Sequence, residues 1–137
     1  MLLPAHNCVR DLLTALTAAV LVGCGGSPSI AVFEIRQCGD RFFVKVSNPV
    51  QVNRGIQLVG QHSIVGGRLA RGDGQVNAPW SWHLDSNTVA FAEAAIEVCD
   101  GCPRSVESNL TYWIEDVGAF CPWQAQVVSV AYGASHF

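Results

Sequence analysis

Charge is scarce in this chain. Only 14% of its 137 residues are Asp, Glu, Lys or Arg, against ~25% in an average soluble chain. That shortage excludes a self-repelling disordered chain. Lysine is almost missing: Lys45 stands alone, and the arginines are scattered. No basic footprint for nucleic acid is therefore present, and no nucleic-acid partner is expected. No apolar run reaches the ~18–20 residues of a membrane-spanning helix. Internal repeats and low-complexity tracts are also missing. What remains is a chain of 50% hydrophobic residues and net charge −3, of a length that fits one domain.

The longest apolar run, Leu12–Gly23, has the size of a signal h-region. Arg10 before it is offset by Asp11, an atypical feature. Residues 1–23 are therefore expected to be a secretory signal. The run ends Leu21-Val22-Gly23-Cys24, which resembles the lipobox of bacterial lipoproteins. That resemblance implies a lipid on Cys24 and a mature chain anchored to a membrane of the cell envelope. Residues 24–30, with Gly25-Gly26-Ser27-Pro28, then form a flexible tether. The other outcome is ordinary cleavage near Ala31 and secretion. The folded domain is expected over 31–132, followed by a tail at 133–137.

Beyond Cys8 and Cys24, four cysteines remain: Cys38, Cys99, Cys102 and Cys121. An even number in a small exported chain points to disulfides, with three connectivities open. Cys99-Asp100-Gly101-Cys102 has Cys-x-x-Cys spacing but lacks the Trp-Cys context of a thioredoxin site. The other two cysteines stand alone, not in the second Cys-x-x-Cys of a typical zinc site. No metal and no cofactor are expected.

Ala31–Arg36 and Arg41–Val46, rich in β-branched and aromatic residues around Cys38-Gly39-Asp40, predict a β-hairpin. Asn48-Pro49 predicts a helix start, with Val52, Ile56 and Val59 on one face and Gly60 as the stop. Gly55 inside weakens it. Ser63–Arg71 predicts a strand with a bulge at Gly66-Gly67. Trp80–Leu84 predicts another, followed by a turn over Asp85–Thr88. Val89–Ala92 and Ala95–Cys99 predict one or two more. Pro103–Val117 predicts the clearest helix, striped by Val106, Leu110, Trp113, Ile114 and Val117 and ended by Gly118. Gln126–Val130 is the last strand. The fold class is α+β: one small, disulfide-stapled domain, a mostly antiparallel sheet with two helices packed on one face.

Several segments resemble one family: Phe42–Val46, Asn48-Pro49, Pro79-Trp80-Ser81-Trp82-His83-Leu84-Asp85, Ile96-Glu97-Val98-Cys99-Asp100-Gly101, the Val106–Trp113 helix, and Cys121-Pro122-Trp123. The chain resembles the small secreted bacterial proteins labelled calmodulin-binding proteins. The resemblance spans most of 32–130 and implies a compact secreted α+β domain. It also implies a common Cys99–Cys121 bridge, with Cys38 and Cys102 as additions that pair with each other. The label implies a calmodulin-type partner, but neither expected helix is the basic amphipathic target such a partner takes.

Candidate chemistry centres on Trp80–Asp85. Trp80 and Trp82, two apart on a strand, project to one face; exposed, they make a stacking platform, and buried, they fill the core. His83 and Asp85 share the opposite face with Ser81. In a small hydrolase, His83 would be the base, oriented by Asp85 or Glu97. No Gly-x-Ser-x-Gly elbow exists. The structural alternative has His83 donating to backbone and Asp85 capping its turn. Glu93 and Glu97 are spaced like paired carboxylates, yet like charges on one face usually mark solvent. The triplet Arg71-Gly72-Asp73 and the sequon Asn109-Leu110-Thr111 are too short to carry weight. The expectation is an exported binding domain for a protein or a saccharide, with Trp80, Trp82, His83 and Asp85 as the contact residues.

Overall fold

The computed structural model describes residues 29–132. The expected signal segment, Cys24, most of the tether and the tail lie outside them. Strands β1 (Ala31–Gln37) and β2 (Asp40–Val46) form the antiparallel hairpin, turning at Cys38 and Gly39, both with positive φ. Helix α1 (Pro49–Gln57) starts as the sequence predicts: Asn48 Oδ1 accepts from Val50 N at 2.9 Å, and Pro49 takes the first turn. Strand β3 (His62–Arg71) is followed by β4 (Trp82–Leu84) and β5 (Ala90–Ala92). Short helices α2 (Pro103–Ser108) and α3 (Leu110–Tyr112) lead to β6 (Ala119–Phe120) and β7 (Ala125–Tyr132).

All pairings are antiparallel, in the order β2-β1-β7-β3-β4, with β5 and β6 also on β3. Strand β3 is the hub. It changes partner along its length, and Gly66-Gly67 is where it does so: Gly66 pairs with Ala90, while Gly67 pairs with Phe120. A Cβ on Gly66 would come within 3.1 Å of Cys121, and one on Gly67 within 3.3 Å of Leu84 and Val89. The glycine pair thus serves close approach as well as irregular pairing.

The sheet curls until its outermost strands, β2 and β4, face each other. Hydrogen bonds close the gap. Asn77 Oδ1 accepts from Phe43 N and its Nδ2 donates to the Trp82 carbonyl, both at 2.8 Å; Ser47 N donates to the Ser86 carbonyl at 3.1 Å. Asn77 is fully buried, and these bonds offset the cost of putting an amide there. Inside lies the main core, with Phe33, Ile35, Phe42 and Val44 from the hairpin. Val52 comes from α1 and Val106 from α2, and Trp82, Phe91 and Phe120 pack among them. Apart from this core lies a smaller cluster of Ile64, Cys99 and Cys121. Trp82 packs its ring 5.5 Å from Phe42 and 5.3 Å from Phe120.

Three expected elements come out differently. The single helix over Pro103–Val117 is three pieces. Asn109 leaves helical geometry (φ −140°, ψ 51°), and Trp113–Val117 widens into a π-turn closed by Gly118 N donating to the Trp113 carbonyl. Gly118 ends it in the left-handed conformation, as expected. Ala95–Cys99 is not a strand. Glu97–Cys99 forms a 3-10 turn that aims Cys99 inward and leaves Ile96 and Val98 in solvent. Strand β4 begins only at Trp82, because Trp80 N closes a turn onto the Asn77 carbonyl. Two disulfides staple the whole, Cys38–Cys102 and Cys99–Cys121, with Cα separations of 5.7 and 5.1 Å. All four cysteines of the described residues are paired, and Cys99 is joined to Cys121 and not to its Cys-x-x-Cys neighbour Cys102.

Candidate functional site

The strand pair β3–β4 fixes the site. Along β3, Leu69 points to the core and its neighbours Arg68 and Ala70 do not. Across from Ala70 sits His83, flanked by inward-pointing Trp82 and Leu84. Alternation therefore places Arg68, Ala70, His83 and Asp85 on one outer face. The loop after β3 folds back over that face. Asp73 Oδ1 accepts from Gln75 N at 2.9 Å, and Gly72, Gly74 and Gln75 adopt positive φ. Gly74 lies so close that a Cβ would sit 2.6 Å from the His83 ring.

The result is a cleft of about 320 Å³ beside the β2–β4 seam. It is lined by Lys45 of β2, Arg68 of β3, His83 of β4, Asp85 and Ser86 just after it, and Gly74 and Val76 of the loop. Its size is that of a small-molecule site. His83 Nδ1 donates to the Gly72 carbonyl at 2.8 Å. A carbonyl can only accept, so that nitrogen carries the proton, and Nε2 is the acceptor of the neutral ring. Asp85 Oδ1 accepts from Asn87 N at 3.1 Å, and Asp85 N donates to the Arg68 carbonyl at 2.8 Å.

This geometry does not assemble the hydrolase that the sequence allows. The Nδ1 proton that Asp85 would have to hold is given to Gly72. Ser81 is engaged elsewhere, its hydroxyl donating to Glu107 Oε1 at 2.8 Å and its N to Oε2 at 2.9 Å. Glu97 belongs to the 3-10 turn and does not line the cleft. Glu93 is 93% exposed and meets Arg54 at 3.7 Å. The tryptophans do not form an open platform either. Trp82 is fully buried. The half-buried Trp80 leans on it at 5.9 Å and donates Nε1 to the Arg41 carbonyl at 2.9 Å. The Arg-Gly-Asp triplet is no free tip: Arg71 donates to Thr111 at 3.2 Å and meets Glu115 at 3.7 Å.

Sequence reasoning missed Lys45 and Arg68. Lys45 comes from a distant strand, and nothing in its surroundings marks it apart from being the only lysine. It also missed a second depression, of about 580 Å³, where Leu58, Ile64 and Trp123 meet Arg54, His62 and Glu93. There Arg54 pairs with Glu93 and His62 Nδ1 donates to the Gln124 carbonyl at 3.1 Å, while the buried Trp123 Nε1 has no hydrogen-bond partner among the described residues.

Fold and cleft together define a small disulfide-stapled α+β domain, a curled antiparallel sheet with a ligand-sized cleft at its seam. The model of the family described as the BP-74 N-terminal domain matches residues 29–133, and the chain belongs to that family. No curated protein and no solved structure matches the chain.

Proposed function

We propose that this chain is an exported binding domain, anchored at the cell envelope by lipid on Cys24, that recognises a saccharide through the seam cleft. The observation that carries this reading is the cleft itself. It is concave and sized for one small ligand, and His83 and Asp85 are held in it by backbone bonds on a paired strand. Sugar recognition needs hydrogen-bonding groups fixed in place before the ligand arrives. A protein partner is less well matched: such interfaces are built around exposed aromatic anchors, and Trp82 is buried. Export is supported by the two disulfides, which belong to oxidising compartments, and by the lipobox-like Leu21–Cys24. Kinship between the matched family and the secreted proteins whose motifs the chain resembles is part of the same reading.

Retention of the purified chain on an array of immobilised saccharides tests the binding. A subset of sugars is expected to hold it, with loss in Asp85→Ala while that variant still unfolds cooperatively in urea at a slope unchanged from the parent. Retention by no sugar, or retention indifferent to Asp85→Ala, overturns the reading. Intact mass from the native membrane fraction tests the anchor. The mass is expected to start at Cys24 with acyl chains and to gain about four hydrogens on reduction, two for each bridge.

A further inference from the structure

The cationic side chains of the described residues divide unevenly. Arg36, Arg41, Arg54, Arg71 and Arg104 each meet a carboxylate within 4.0 Å. Lys45 and Arg68 meet none, and both line the seam cleft. Among the described residues, five arginines have found carboxylate partners and the two remaining Lys or Arg side chains converge from different strands on one concavity. The single carboxylate of that lining, Asp85, is occupied at Oδ1 by the turn it caps. Two cations facing one carboxylate leave the cleft net positive, on a protein whose overall charge is −3.

We propose that the seam cleft takes an oxyanion borne by a small hydroxylated ligand, with the carboxylate of a uronic-acid sugar as its source. This deepens the saccharide reading and rests on it. Arg68 presents a planar fork and Lys45 a point charge; together they suit a carboxylate or a phosphate and have no use for a neutral sugar. The hydroxyls of the same ligand have acceptors within the lining, namely His83 Nε2 and the second oxygen of Asp85. A neutral ligand would leave both cations uncompensated. Partial enclosure by the Gly72–Val76 loop strengthens the attraction relative to an open surface.

Titration of the isotope-labelled chain, followed by its amide spectrum, tests the proposal. The probes are D-glucuronate, D-glucose and inorganic phosphate. Glucuronate is expected to shift the amides of Lys45, Arg68 and His83 saturably, while glucose leaves them unmoved. Arg68→Gln and Lys45→Gln should each weaken binding about tenfold, the scale of one charge-assisted hydrogen bond. Arg54→Gln, outside the cleft, should leave it unchanged. The spectrum of each variant reports its fold directly. Phosphate moving the same amides more tightly than glucuronate keeps the oxyanion site and reassigns its source. Glucose binding as tightly as glucuronate overturns the oxyanion and leaves the saccharide reading standing. Neither anion shifting these amides, while sugars still retain the chain on the array, has the same meaning. If no sugar retains it either, both readings fall.

Discussion

Asn77 shows most clearly what one residue does here. Between the expected strands Ser63–Arg71 and Trp80–Leu84 it reads as an ordinary loop polar residue of Gly72–Pro79. In the fold it is fully buried and closes the sheet on itself, accepting from Phe43 and donating to Trp82. Asn77→Ala strands the part-buried N–H of Phe43 and the buried carbonyl of Trp82, each costing ~1–3 kcal/mol when fully buried. A loss of about 2–4 kcal/mol is expected, read as a lower urea midpoint at unchanged slope. Gly55 makes the opposite point. By propensity alone, Gly55→Ala inside α1 should stabilise by ~1 kcal/mol. The structure reverses the sign, because the new methyl would sit 2.5 Å from Phe33 and 2.6 Å from Phe91. Overpacking of this kind costs about 1–3 kcal/mol, so a lower melting temperature is expected. Neither residue's role was legible in sequence, since each depends on a partner far along the chain.

At the scale of elements, signals are legible in the sequence wherever their cause is local. The Asn48-Pro49 start of α1, the Gly118 stop and the hairpin turn at Cys38-Gly39 all stand where the sequence puts them. The stripe from Val106 to Val117 is apolar, as its spacing says, but it is not one helix. Val106 and Trp113 both reach the core, but the chain leaves helical geometry between them at Asn109 and widens over Trp113–Val117. The disulfides tie these irregular pieces down. Cys38–Cys102 joins the hairpin turn to the residue before α2 across a sequence separation of 64, and Cys99–Cys121 spans 22. Loop-closure entropy gives roughly 4 and 3 kcal/mol for them. Cys38 is exposed and Cys99 and Cys121 are buried. Mild reductant is therefore expected to open Cys38–Cys102 first, seen as one alkylated pair by mass spectrometry while the amide spectrum remains folded.

For the molecule as a whole, closure of the curled sheet decides both stability and site. The seam between β2 and β4 buries Trp82 beneath it and gathers Lys45, Arg68 and His83 beside it. Tryptophan emission should report that closure. Trp82 and Trp113 are buried, and Trp80 and Trp123 half-buried, so native emission is expected on the blue side of that of the urea-unfolded chain. A soluble quencher such as iodide should reach only part of it. Full quenching in the native state would show that the seam is open in solution.

The sequence by itself determined the α+β class, the hairpin, the helix caps and the cysteine content, because periodicity, turn chemistry and capping act over a few residues. The segment Trp80–Asp85, which stands out in the sequence for its aromatic and polar alternation, supplies His83 and Asp85 to the cleft. Only the tertiary structure decided which cysteines pair and which faces of that segment are buried. It alone showed that His83 gives its proton to Gly72 and not to Asp85. It also decided that two cations meet no carboxylate among the described residues and share one cleft. These outcomes are set by strand pairing between residues far apart in the chain, and a one-residue change of register would send every such side chain to the other face.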